Sequence, residues 1–195
     1  MKKIAKENFV LTLGPSNKAI ERVPSGSTVV FESFDCFSNK IQSEDQTFSD
    51  IGWDDINPAT GPLYVEGAEV GDTLKVEILD LEIGDQGAMT TVPNAGTFAK
   101  TVNEERTKII PIKDGKAVFN EHISLPIDPM VGVIGTAAAH EDVPTGTPGD
   151  HGGNLDCKRV QKGSTLYLPV NQPGALLRWE MHIQIWEMGN YSFVD

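Results

Sequence analysis

Cysteine is scarce in this chain, with two, Cys36 and Cys157, among 195 residues. Two thiols make at most one bridge, so a disulfide-stapled scaffold is excluded and the chain reads as cytoplasmic. Basic charge is short as well. Sixteen Lys and Arg face 28 Asp and Glu, for a net charge of −12. Sequence-independent affinity for phosphate backbones or anionic membranes needs clustered cations, so neither nucleic acid nor membrane is an expected partner. No apolar run approaches the roughly 20 residues of a membrane-spanning helix. The opening Met1-Lys2-Lys3-Ile4-Ala5-Lys6 is basic, but Glu7 and Asn8 follow where a secretory signal needs an apolar core. Helical periodicity sustained over about 12 residues is missing too, as are internal repeats.

What the chain has in quantity is punctuation. Nineteen glycines and twelve prolines interrupt it at short intervals, which favours short strands over long helices. Thr28–Phe34 (TVVFESF) is β-branched and aromatic, and Leu63–Glu66 is a short apolar run. Thr73–Ile83 alternates apolar Leu74, Val76 and Ile78 with polar Lys75 and Glu77, the period of a half-buried strand. Asp114-Gly115 between Lys108–Ile112 and Lys116–Phe119 is a two-residue hairpin signal. Pro129–Ala139 reads as a buried strand, Leu166–Val170 as another, and the two prolines of Asn57–Pro62 as a rigid turn pair. Many short strands at regular spacing predict a mainly β protein, a sandwich or barrel.

The most unusual stretch is Pro144–Asp156, PTGTPGDHGGNLD, with four glycines and two prolines in thirteen residues. Its glycines permit backbone conformations closed to other residues and allow a ligand near the main chain. Asp150, His151 and Asp156 are groups that bind a divalent metal or act as a general base. A polar surface loop with a satisfied histidine explains the same residues. Asp35 follows the Thr28–Phe34 strand, where sites on β scaffolds collect and where turns also begin. Gln42–Asp55 carries five acids and reads as a solvated face. Cys157, His122 and His140 have no neighbours that suggest chemistry.

Asp35-Cys36-Phe37, then Ile56–Glu82 (INPATGPLYVEGAEVGDTLKVEILDLE), Pro129–Ala137 (PMVGVIGTA), PTGTPGDHGGNLD and Leu168–Leu177 (LPVNQPGALL) follow one another in order. In this the chain resembles the acetamidase/formamidase family over most of Val29–Leu177. The resemblance implies hydrolysis of small linear amides to carboxylate and ammonia. It also implies a jelly-roll-like β-sandwich with part of an α/β portion, and a homodimer. Residue chemistry laid over the matching motifs gives an expected site. His151, Asp150 and Asn154 would be catalytic. Asp35, His151 and Asp156 would hold a divalent metal, with zinc the suggested ion, and the glycine-loop amides would serve as oxyanion donors. Cys36 and Cys157, each beside a candidate carboxylate, would point away from the site, because successive strand residues alternate faces.

After Leu177 the resemblance stops. The family continues with a motif of the form GD-x-HA-x-x-GDGE, whereas this chain reads RWEMHIQIWEMGNYSFVD. Trp and Met have single codons, which constrains the underlying nucleotides. Read from the third position of each codon, Trp179–Glu180 gives Gly, Glu180–Met181 gives Asp or Asn, Met181–His182 gives Ala, and His182–Ile183 gives His or Tyr. Further on, Trp186–Glu187 and Met188–Gly189 again force Gly. The shifted frame is compatible with GDAHSNMGDGE. The expected organisation is therefore a β domain over 1–177 and an out-of-frame tail over 178–195 ended by a premature stop, with His182 an accident and activity impaired. The competing expectation is a non-catalytic β-sandwich, a binding or assembly module or an inactive remnant.

Overall fold

A computed structural model describes residues 1–96 and 99–184, with the side chains of 182–184 outside the description. The architecture is mainly β, in several curled sheets, with helix limited to the 3-10 turns Phe48–Asp50 and Trp53–Asp55. No α-helix, and so nothing of the expected α/β portion, lies among the described residues. No helix of the described residues is long and apolar enough to cross a membrane.

The sheet that positions the site has Gly152–Asn154, Asp128–Gly135, Leu177–Gln184 and Ala59–Glu66 side by side, with Phe9–Val10 and Glu21–Pro24 both pairing with Ala59–Glu66. Its core-forming logic is alternation corrected by one bulge. Val131 pairs with Met181 and Val133 with Glu180, so one extra residue, Gly132, is inserted between them. The bulge lets Val131 and Ile134 share one face, where they pack with Ile4, Val23, Leu63, Ile78, Val160, Leu168 and Leu177 in the main core. Trp179 joins that face and stacks on Phe31, ring centroids 5.9 Å apart. Val133 turns the other way and packs with Leu13 and Ala59 in a small second cluster. Residues paired across strands share a face, so Asn154, Glu180 and Arg178 lie on the Val133 side. One face of the sheet is therefore apolar core, and the other carries polar groups on a small apolar base.

The hairpin at Asp114-Gly115 forms as predicted, between Arg106–Lys113 and Lys116–Val118, with both turn residues at positive φ (50° and 70°). The 129–139 run becomes the strand Asp128–Gly135, and Thr73–Glu77 pairs with Thr165–Pro169. The sequence misplaced one feature. NPATGP is not a pair of turns, because Ala59–Glu66 is one continuous strand with a cis Gly61–Pro62 bond inside it. The reversal falls on Asn57, at φ 57°. Residues 178–184 extend the strand begun at Leu177, between Asp128–Gly135 and Ala59–Glu66.

Candidate functional site

The candidate site is the polar face around Val133. The Pro144–Asp156 loop folds onto it as a glycine hairpin. Gly149 and Gly152 exchange backbone hydrogen bonds of 2.7 and 2.9 Å, and the His151 carbonyl accepts the Thr136 amide at 2.9 Å. Two of these glycines serve the chain's own packing, a role the sequence reading did not give them. A Cβ at Gly152 would sit 2.1 Å from the Ile134 carbonyl oxygen, and one at Gly153 would sit 2.5 Å from that of Thr147. The loop amides are committed likewise. Thr147, Gly149, Gly152 and Asn154 all donate to loop carbonyls, so these amides are not the oxyanion donors expected of them.

His151 is thereby carried inward, with 7 % of its surface exposed. Its Nε2 is buried without a hydrogen-bond partner. Burial holds its protonation below the usual histidine range, the Arg178 guanidinium pushes the same way, and Asp150 opposes both. A neutral imidazole with an uncommitted nitrogen is the form that accepts a proton. Asp150 stands exposed at the hairpin tip. Asn154 donates from Nδ2 to Asp156 at 3.0 Å, while its Oδ1 is buried and unpartnered.

Asp35, Asp156 and Glu180 converge on a different group, the Cys36 thiol. Burial raises the Cys36 pKa well above its ordinary value, and the Glu180, Asp35 and Asp156 carboxylates raise it further. The Asp35 and Asp156 carboxylates, 121 positions apart in sequence, thus both act on one thiol, as does Glu180. The two cysteines part company, contrary to expectation. Cys157 packs against the main core, while Cys36 faces the carboxylates. Glu180 was missed as a candidate because the tail was set aside, and its place on the face follows only from strand register.

The expected metal set does not close. Among the described residues no three His, Cys, Asp or Glu side chains are placed to hold an ion. The reasons are local. Asp35 spends its Oδ1 on the turn after it, accepting from the Phe37 and Asn39 amides at 3.0 and 2.6 Å. His151 has a cation for a neighbour, the fully buried Arg178. That guanidinium donates to the Leu176 and Gly14 carbonyls and to Asn17 Oδ1, and burial lowers its pKa to about 10.

Residues 12–143 match the model of the Acetamidase/Formamidase family. The chain belongs to that family. Its fold is also that of solved members. An acetamidase from Bacillus halodurans is 45 % identical, with a TM-score of 0.91 over 93 % of this chain and 62 % of that one. A predicted acetamidase/formamidase from Thermoanaerobacter tengcongensis is 39 % identical, with a TM-score of 0.89 over 93 % and 60 %. A formamidase from Methylophilus methylotrophus is 24 % identical over 86 % of this chain and 56 % of its own length. The chain thus spans a little under two thirds of the family members it resembles. The family match ends at residue 143, just before the glycine hairpin that carries His151.

Proposed function

We propose that the protein is an amide hydrolase acting on the carbon–nitrogen bond of small linear amides such as formamide and acetamide. Family membership supports the reaction class, and the observation that carries the site assignment is the buried, neutral His151 with its unpartnered Nε2. In this reading His151 takes a proton from water as the water oxygen attacks the amide carbonyl carbon. The tetrahedral intermediate then breaks its C–N bond, the proton passes to the departing nitrogen, and ammonia and a carboxylate leave. Asn154, oriented by Asp156, is available to bond the amide group, and Asp150 favours the imidazolium formed in passing. The described donors assemble no set for a metal, so this route rests on the chain's own residues.

The same reading makes the protein a cytoplasmic homodimer. It treats the residues from Arg178 onward as translated out of frame, which weakens turnover. The test is ammonia release from formamide and acetamide by this chain, by His151→Gln, and by a frame-restored chain. Turnover that is low in this chain, higher in the restored one and abolished by H151Q is the expected result. Full activity in the H151Q variant would overturn the assignment of the base, and no turnover in the restored chain would leave the non-catalytic module as the better description.

A further inference from the structure

Between Cys36 and Asn57 the chain leaves the sheet and returns to nearly the same point, the Asn57 amide donating to the Cys36 carbonyl at 2.9 Å. The excursion closes its own neck, with Ser38 Oγ bonded to the Asp55 carbonyl at 2.7 Å and Lys40 paired with Asp55 at 2.7 Å. It carries a small core of its own. Ile41 and Phe48 are buried, and the Phe48 ring meets Phe37 and Trp53 at centroid distances of 6.4 and 4.5 Å. Neither of the two core clusters of the protein includes a residue of this segment. In its joined ends and its own packing the segment is like an Ω-loop, although longer than the usual members of that class, which are often functional.

The bonds that reach from this loop to the long hairpin beside it are polar. Glu105 accepts from the Ser49 amide at 3.1 Å and from Ser49 Oγ at 2.6 Å, Glu44 accepts the Ile109 amide at 3.3 Å, and Gln42 meets Gln86 at 3.1 Å. The two ends behave otherwise. Ser38, Asn39 and Asn57 all sit at positive φ, 56°, 53° and 57°, so backbone conformations that L-residues seldom adopt gather at the neck. That neck is part of the site. Cys36 lies within reach of the Asp156 and Glu180 charges, and buried Asn57 points its Nδ2 at Gly146 of the glycine hairpin, 3.2 Å from where a Cβ would stand.

From this we infer that Phe37–Ile56 is a lid, hinged at Cys36 and Asn57 and latched to the neighbouring hairpin through Glu105. Segments with few apolar contacts to the body open at lower free energy than core strands, and a self-packed loop opens as one unit. Opening at the neck uncovers the Cys36–Asn57 side of the polar face without disturbing the main core. The inference concerns motion and holds whether or not the chain turns over amides.

Cys36 is the natural reporter. With Cys157→Ser it is the sole thiol, and its rate of reaction with dithionitrobenzoate under native conditions reads the opening of the neck. The complementary Cys36→Ser variant makes Cys157 a reporter on the core. Glu105→Gln and Ser49→Ala each remove part of an exposed latch, and should speed Cys36 labelling about two- to fivefold, the range of one exposed charged pair. They should leave Cys157 labelling unchanged. Hydrogen exchange should show the amides of 39–51 opening together and faster than those of Asp128–Gly135. Equal acceleration at both cysteines would mean global loosening, and no acceleration at Cys36 would mean that Glu105 latches nothing. Either result overturns the lid, as would exchange in 39–51 as slow as in the central strands.

Discussion

Replacing Gly152 with Ala tests whether the glycine hairpin is shaped by its own packing. Gly152 has φ 101°, and a Cβ there would meet the Ile134 carbonyl oxygen at 2.1 Å and the Gly135 Cα at 2.7 Å. Both obstacles are backbone of the central Asp128–Gly135 strand, so no side-chain rotation relieves them. The positive φ alone costs an alanine about 1–2 kcal/mol. To escape the clash the hairpin must lift, giving up the mutual Gly149–Gly152 bonds and the Thr136 amide bond to His151. At about 1 kcal/mol for each of these three hydrogen bonds, the total comes to roughly 4–5 kcal/mol. Gly67 supplies the control, because its φ is 84° and nothing lies within 4 Å of its Cβ position. Gly67→Ala should therefore cost only about 1–2 kcal/mol, the backbone part alone. Urea unfolding followed by far-ultraviolet circular dichroism measures both from midpoint and slope. A Gly152→Ala penalty no larger than that of Gly67→Ala would refute the packing argument, and with it the claim that close approach to Ile134 holds His151 in place.

Other expectations follow from the same geometry. Zinc added to the chain should be lost on dialysis, because the described carboxylates and His151 form no three-donor set; stoichiometric zinc retained by mass spectrometry would show a cage they do not supply. In the parent protein Cys36 should stay a protonated thiol through mildly alkaline pH, since burial and the Glu180, Asp35 and Asp156 charges raise its pKa. Its alkylation should quicken only well above the pH at which an exposed cysteine reacts, and rapid iodoacetamide labelling near neutrality would contradict that. His151 has its folded pKa lowered, so the unfolded chain binds more protons and stability should fall as pH drops through and below about 6.5, the unperturbed value. His151→Gln should flatten that segment of the pH–stability curve, and an unchanged curve would place the titration elsewhere.

The sequence made some of this legible and hid the rest for identifiable reasons. The Asp114-Gly115 hairpin could be read because two positive-φ residues between apolar runs leave few alternatives. The 129–139 strand was legible as an apolar run, yet its division between two faces was not, since the Gly132 bulge breaks the period on which such a reading relies. NPATGP was misread because proline marks turns in most contexts, whereas Pro62 lies inside the continuous strand Ala59–Glu66. That Asp35 and Asp156 would both act on the Cys36 thiol was not legible, nor was the use of Asp35 Oδ1 in its own turn, because both depend on tertiary geometry.

Strand register also bears on the reading frame. From Leu177 the strand alternates between faces, and the apolar side receives Leu177 and Trp179 without conflict. The polar side receives Arg178 and Glu180, both fully buried. The Arg178 donors end on carbonyls and one amide oxygen, and its Nε finds no partner. Burying a charge in a central strand is costly, and at Arg178 the Asp142 carboxylate offsets that cost only in part. From Trp179 onward the shifted frame gives a Gly-Asp pair followed by Ala-His, so Glu180 gives way to small residues and to groups of a kind that serves a site, while Arg178 lies before the part of the frame that the codons constrain. Codon arithmetic supports the proposal that the stretch from Trp179 onward is read out of frame. Sequencing the coding DNA should reveal GDAHSNMGDGE in another frame beneath residues 179–190. DNA whose third positions give Asn at the aspartates or Tyr at the histidine would sink the proposal, and Glu180 would then have to be explained as a native member of the site.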